Sequence, residues 1–420
     1  MGETDVTEPL PLLRRSPDFR RYWIARMVSI GGSLVTYVAL PVLVYQVTGS
    51  NLWTAFVVVA EGLPYLCLGL FAGAVADRVD RRRLMVRADL ANAIVLGSVP
   101  VAYALNGLTA PHVLLAAFAA QALFVFFDAA NFGALPALVG RDRIAAANSA
   151  VFGGGTVLDL TVPLLAGASL AVVAPASLLA VDAVSFAMSA VLVRAIAVPL
   201  QGALGDGPAR GMVRDIREGL SFLWRQPVVR VQTVVGGLQA MAGGAFMGQF
   251  VPWLDQVLGV RPRGDVRLGV MFSTWGIGGL IASLTFPWLV RRWGEPRVTL
   301  VFLPLSALFG LLCAAATDWA VAAAMLGCWG VVYSVVVVNA ITLRQRVTPD
   351  RLQSRVNTAG RMLSFGGGWP TGALAGGIVS EAYGPRAAIV ASIGLVVVAA
   401  VVAWLSPLRG IGVESPQLKV

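Results

Sequence analysis

The sequence predicts an all-α membrane protein with twelve transmembrane helices, set as two pseudo-symmetric bundles of six. Three observations carry that reading: an apolar composition, arginines gathered on one side of the apolar runs, and residues repeated between the two halves. Of the 420 residues 57% are hydrophobic and 13% charged, against roughly 45–50% and about 25% in soluble domains. So little charge cannot coat a water-soluble surface of this size, which excludes a cytosolic enzyme. The formal net charge is +10, yet the basic residues form no nucleic-acid-binding tract.

A spanning helix takes about 20 apolar residues, and turn or charge signals divide the chain into twelve such runs. The first two, 22–46 and 52–76, are parted by Gly49-Ser50 and closed by Asp77-Arg78. The third, 84–106, follows Arg81-Arg82-Arg83, and the fourth, 112–138, starts behind Pro111. The fifth and sixth, 147–171 and 174–197, meet across a very short turn near Ala174. The seventh and eighth, 228–258 and 267–290, end at Gly259 and at Arg291-Arg292. The ninth and tenth, 298–316 and 319–343, flank Thr317-Asp318; the last two, 357–380 and 385–405, flank Gly384.

Membrane proteins keep lysine and arginine on the cytoplasmic side. With odd-numbered spans running outward, only Arg261, Arg263, Arg267 and Arg386 fall outside, and Arg26 lies within span 1. Every other one of the 32 basic residues is then inside. Both termini are therefore expected in the cytoplasm. The expected domains are a cytoplasmic segment 1–21, a six-helix bundle 22–198, a linker 199–227, a second bundle 228–405 and a cytoplasmic tail 406–420. The linker holds Gly202, Gly205, Gly207 and Pro208, then an amphipathic helix at 212–224. The polar, acidic start of the chain carries no short apolar core with a cleavage site, so no removable signal peptide is expected.

The halves repeat at an offset of 208–210 residues. Asn131, Arg141 and Asn148 match Asn339, Arg351 and Asn357; Gly69, Arg81 and Arg82 match Gly279, Arg291 and Arg292. Parallel six-span repeats suit alternating access about a central cavity. Cys67, Cys313 and Cys328 lie in apolar runs with no paired spacing, and His112 is the lone histidine, placed at a loop edge. Neither a disulfide framework, a zinc site nor a cofactor is expected.

The segment from Gly73 through Asp77, Arg78, Arg81, Arg82 and Arg83 resembles the signature loop of the major facilitator superfamily. Leu135-Pro136 with Asn148, the stretch 215–224, and Leu343-Arg344-Gln345 through Pro349-Asp350 to Arg355 extend the likeness. They point to the subgroup of twelve-span drug:proton antiporters that includes macrolide, tetracycline and siderophore exporters. The resemblance runs from Phe19 to about Leu405. It implies that Gly73 lets span 2 approach a neighbour closely, and that Asp77, with Arg78 and Arg81, gates the cytoplasmic face against the start of span 11 at Asn357-Thr358. In the second half Pro287 stands where Asp77 would, so no matching gate is expected there.

Ionisable groups at membrane depth are costly and mark substrate or proton pathways. Arg26, Glu61, Asp128 and Asp159 are such groups, each in a polar stripe at helical spacing. Span 1 presents Arg26, Ser29, Ser33 and Tyr37; span 4 presents Gln121, Phe124, Asp128 and Asn131; span 5 presents Phe152, Thr156, Asp159 and Pro163. Asp128 is the first choice for proton coupling, then Asp159 and Glu61, with Arg26 as counter-charge and Asn131, Gln121 and Tyr37 lining the cavity. The plainer reading of any one of these is a static ion pair. Relatives carry an acid in span 1 where this chain has Gly31-Gly32. Asp89 and Asp182 are placed nearer span ends and read as structural. Phe124, Phe126, Phe127, Phe246, Phe250, Trp253, Trp275 and Tyr333 are candidates to line a hydrophobic pocket.

The expected function is proton-coupled efflux of a small lipophilic or amphipathic compound by a functional monomer. The partners are then that substrate, protons and the bilayer, here the inner membrane of an arginine-rich prokaryote. An importer or uniporter of a nutrient shares the fold, but would carry more polar midplane residues. A polytopic enzyme needs a convergent acid/base set and larger soluble loops, and ATP-driven export needs a nucleotide-binding domain that the sequence lacks.

Overall fold

The computed structural model describes residues 9–201, 221–348, 352, 356 and 359–410, leaving aside the side chains of Pro9, Leu10, Pro11, Leu70, Asp77 and Arg141 and the exposure of Gly410. Most of the expected linker helix, the gate partner Asn357-Thr358 and the tail beyond Gly410 lie outside these residues, as does the side chain of Asp77. Among the described residues there is no strand. Eleven helices are long and apolar enough to cross a membrane.

The helices are α1 (Pro9–Arg15), α2 (Pro17–Thr48), α3 (Asn51–Arg78), α4 (Arg81–Ala104), α5 (Ala110–Val139), α6 (Ile144–Ser169) and α7 (Pro175–Arg194). They continue as α8 (Pro227–Leu258), α9 (Arg267–Trp293), α10 (Glu295–Ala315), α11 (Trp319–Val347), α12 (Trp369–Tyr383) and α13 (Pro385–Trp404). α1 was not expected from its polar sequence. The ends follow from capping. Asp80 accepts from the Arg83 amide, Gln226 from Val228 and Val229, and Asp318 from Ala320 and Val321. These side-chain acceptors satisfy amides that the first helical turn leaves open. α8 stops at Gly259, whose φ of +63° only a glycine adopts cheaply.

The eleventh expected span, 357–380, is the broken one. Met362–Gly368 winds as a π-helix before α12 continues for 15 residues. Glycine explains the break and the packing alike. A Cβ on Gly372 would strike the Met241 main chain, one on Gly244 that of Trp369, and one on Gly376 that of Ala245. α8 and α12 thus touch backbone to backbone, as small residues permit in membrane helices. Gly366 and Gly368 are equally confined, whereas Gly367 has only Met362 O at 3.8 Å.

The chain divides into two compact units, 1–47 with 67–207 and 48–66 with 208–420. The first half of α3, through Leu66, therefore clusters with the second unit, not with the bundle 22–198. In the first unit Phe19, Tyr22 and Ala25 of α2 pack with Met85 and Ala88 of α4, Phe127 and Ala134 of α5, and Ala147 of α6. Trp23 donates to Ala150 O at 2.9 Å, and Gly154 lies beneath Met27 and Trp23, which seats α6 on α2. Asp18 accepts from the Ala197 and Val198 amides at 3.2 and 3.0 Å, fastening the chain after α7.

The second unit is built on rings. Phe246 lies 4.7 Å from Trp329, Phe250 4.8 Å from Phe272, and Trp275 5.2 Å from Tyr333, centroid to centroid. Such separations suit offset and edge-to-face pairs.

Candidate functional site

Spans 1 and 4 bring part of the expected constellation together in the first unit. The Tyr22 hydroxyl donates to Asn131 Oδ1 at 2.6 Å. One turn on, Arg26 lays its guanidinium over the Phe127 ring, 5.3 Å from the centroid. Both Arg26 and Asp128 lie within electrostatic reach of the Tyr22 hydroxyl. Arg26, Asp128 and Asn131 thus share one site with Tyr22, a residue the sequence reading passed over. Its signal was present, since Tyr22 stands one turn before Arg26 on the same stripe of α2.

The other expected residues stand apart. Tyr37 lies on α2 eleven residues beyond Arg26, about 16 Å along the axis, and Gln121 is two turns before Asp128 on α5. Both are half-buried. Asp159 is exposed and its stripe-mate Phe152 is 72% exposed, so that face of α6 points away from the core of its own unit. Glu61 is half-buried on the part of α3 that belongs to the second unit.

Asp89 and Asp182 are both fully buried, at 0% and 1% exposed, Asp89 in the first half of α4 and Asp182 midway along α7. Thr36 donates to Asp182 Oδ2 at 2.6 Å and Ser185 to Oδ1 at 3.0 Å. A Cβ on Gly32 would strike Asp182 and Ser185, so this acid of span 6 fills the space against Gly32 in span 1. Arg26 and Asp182 both lie within electrostatic reach of Asp89. Their burial is set by the covering helix, which is invisible along the chain.

Two arginines of the signature loop bind main-chain carbonyls. Arg81 Nη1 donates to Gly133 O at 3.1 Å, and Arg82 Nη1 to Ile196 O at 2.6 Å. The Arg81 amide donates to Gln201 Oε1 at 3.1 Å. Gly133 gives the guanidinium room, and Pro136 removes the helix donor to the adjacent Phe132 carbonyl. Arg78 is exposed. Gly73 is not a close-approach residue, because no described atom lies within 4 Å of a Cβ built on it. In the second half Arg291 and Arg292 are exposed.

Several aromatic residues of the second unit pack on one another. Phe246, Phe250, Trp253 and Trp329 are at most 2% exposed. Polar groups hold the ends of this unit. Asn339 donates to Glu295 O and Thr299 Oγ1, both at 2.8 Å, and Arg346 pairs with Glu295 at 2.5 Å. At the other end the Ser50 hydroxyl and the Leu52 amide donate to Glu381 Oε2 at 3.3 and 3.2 Å. Gln256 donates to Asn51 Oδ1 at 2.7 Å. Among the described residues no group of three metal-ligating side chains converges.

Apolar helices of spanning length, with charged and amide groups inside a helical bundle, define a polytopic helical membrane protein, and its family and efflux-pump relatives make it a transporter rather than an enzyme. The chain belongs to the Major Facilitator Superfamily, which it matches over residues 22–369. It is 28% identical to the multidrug efflux pump Tap of Mycolicibacterium fortuitum, over 93% of this chain and 96% of that protein. It is 25% identical to the enterobactin exporter EntS of Citrobacter koseri, over 93% and 92%. Its fold is similar to that of the nucleoside transporter NupG, with a TM-score of 0.77 at 13% identity, over 94% of this chain and all of that one.

Proposed function

We propose that this transporter expels a small lipophilic or amphipathic compound in exchange for protons. It acts as a monomer in a prokaryotic inner membrane with both termini in the cytoplasm. The observation that carries the coupling is the meeting of Tyr22, Arg26, Asp128 and Asn131 between α2 and α5. An acid and an arginine on facing helices can trade partners when one of them is protonated, and intramembrane ionisable groups ordinarily mark such pathways. The names of the two relatives, a multidrug efflux pump and a siderophore exporter, support the outward direction. The basic loops on one side of the spans support cytoplasmic termini. Exporter substrates of mixed chemistry fit the scarcity of polar residues in the spans.

Cells with and without the protein, loaded with the fluorescent cation ethidium, test the direction and the energy source. An uncoupler should raise ethidium accumulation only where the protein is present. Equal accumulation in both strains before and after the uncoupler would contradict export, and protein-dependent uptake would favour import.

A further inference from the structure

Asp89 has no place in the constellation above, and its surroundings are unusual. It sits on the core-facing stripe of α4 with Met85, Ala88, Asn92, Leu96 and Val99. Asp89, Asn92 and Ser189 are each 0% exposed. Both carboxyl oxygens of Asp89, both amide atoms of Asn92 and the Ser189 hydroxyl lack a hydrogen-bond partner among the described residues. Ser189, on α7, faces the carboxyl without closing a bond. Asp89 and Asn92 are one turn apart on one helix face, where side chains are neighbours.

We propose that Asp89 is a proton-binding group, seated with Asn92 and Ser189 in the contact between α4 and α7. The donor and acceptor inventory fits the neutral acid. A carboxylate accepts only, whereas a carboxylic acid also donates one O–H. Asn92 Oδ1 is an unused acceptor for that proton, and the Asn92 amide and Ser189 hydroxyl are unused donors for the other oxygen. Leaving an ionised carboxylate out of water without paired donors is costly. Taking up a proton from water removes that charge; returning it to water restores the charge, which Arg26 then meets.

The charged and titratable groups around Asp89 are few. From α2 comes Arg26, whose Nε is buried and unpartnered. From α7 comes Asp182, whose oxygens are already engaged by Thr36 and Ser185. α5 carries His112, paired with Ser98 at 2.9 Å two turns beyond Asn92, and Asp128 in the Tyr22 site. Arg26 therefore lies within electrostatic reach both of Asp89 and of the Tyr22 hydroxyl, which Asp128 also reaches. Proton occupancy of Asp89 sets how strongly Arg26 is drawn from the Tyr22 site. This role in transport rests on the proposed proton coupling; the proton binding itself does not.

Infrared difference spectra of the purified full-length protein between two pH values read the carboxylic-acid band directly. Wild type should show a buried carboxylic band that Asp89→Asn loses and Asp89→Glu shifts. The bands should not change when choline replaces sodium at constant pH. If Asp89→Asn leaves the spectrum unaltered, or sodium alone changes it, the proposal is wrong. Should Asp89→Asn fail to fold, Asp89→Glu decides: an unmoved set of bands overturns the proposal. In vesicles with an imposed pH gradient, Asp89→Asn should lose ethidium movement while exchange without a gradient persists. If wild type itself shows no proton-linked movement, the function proposed above fails; the infrared band still decides this one.

Discussion

The Tyr22 hydroxyl and Asn131 Oδ1 are 2.6 Å apart, joining two helices 109 positions distant in sequence. Their bond fixes the face of α2 on which Arg26 stands, and so the side chains Arg26 can meet. Tyr22→Phe leaves the Asn131 oxygen without its donor and should cost about 1 kcal/mol of stability. Thermal unfolding of the purified protein checks it. Combined with Asn131→Ala, the loss should be less than the sum of the two single changes.

Gly133→Ala places a Cβ 2.7 Å from the Nε of Arg81. The flexible end of the arginine gives way, not the helix, so stability should change by less than about 0.5 kcal/mol. Export should nevertheless fall as far as in Arg81→Ala, because both changes take the guanidinium off the Gly133 carbonyl. Ethidium export with full stability in Gly133→Ala would show that this carbonyl contact plays no part.

Between α8 and α12 the two glycines Gly372 and Gly367 make a matched pair. Gly372→Ala meets the Met241 backbone, which cannot rotate away, whereas Gly367→Ala meets nothing closer than 3.8 Å. The first should lower the melting temperature sharply or prevent folding. The second should be tolerated, apart from whatever the π-helical turn requires. Equal behaviour of the two variants would show that α8 and α12 do not touch as described.

Outside the spans, Asp265 organises the turn before α9. It accepts from the Arg261 and Arg267 amides at 3.2 and 3.0 Å and from Arg267 Nη2 at 2.6 Å. These donors, the Arg267 side chain foremost, hold its carboxyl below the ordinary value of 3.8. A lowered folded value stabilises the protein above the unfolded one and is lost as pH falls through the folded one. Wild type should therefore melt above Asp265→Asn at pH 6, and the gap should close as pH drops below 3.8. Melting curves of both proteins across that range are the check.

The spans were legible because run length, proline and glycine are local signals. Gly259, Gly294 and Gly384 end helices where the sequence places breaks, each with positive φ. The π-helix at Met362–Gly368 was not legible, since its winding depends on the neighbouring α8 as well as on its glycines. Period and depth alone put Arg26, Asp128 and Asn131 on inward stripes. Tyr22 was passed over because its place beside Asn131 depends on which helix covers it. Phe246, Phe250 and Trp253 were recognised by type, yet whether rings face one another or open space is decided by three helices at once.

The most direct test of the central claim uses the purified protein in vesicles with an imposed pH gradient and ethidium as the transported cation. Wild type should drive ethidium against its own gradient, and Asp128→Asn should abolish that movement while leaving the protein folded. Undiminished gradient-driven transport in Asp128→Asn would contradict the account.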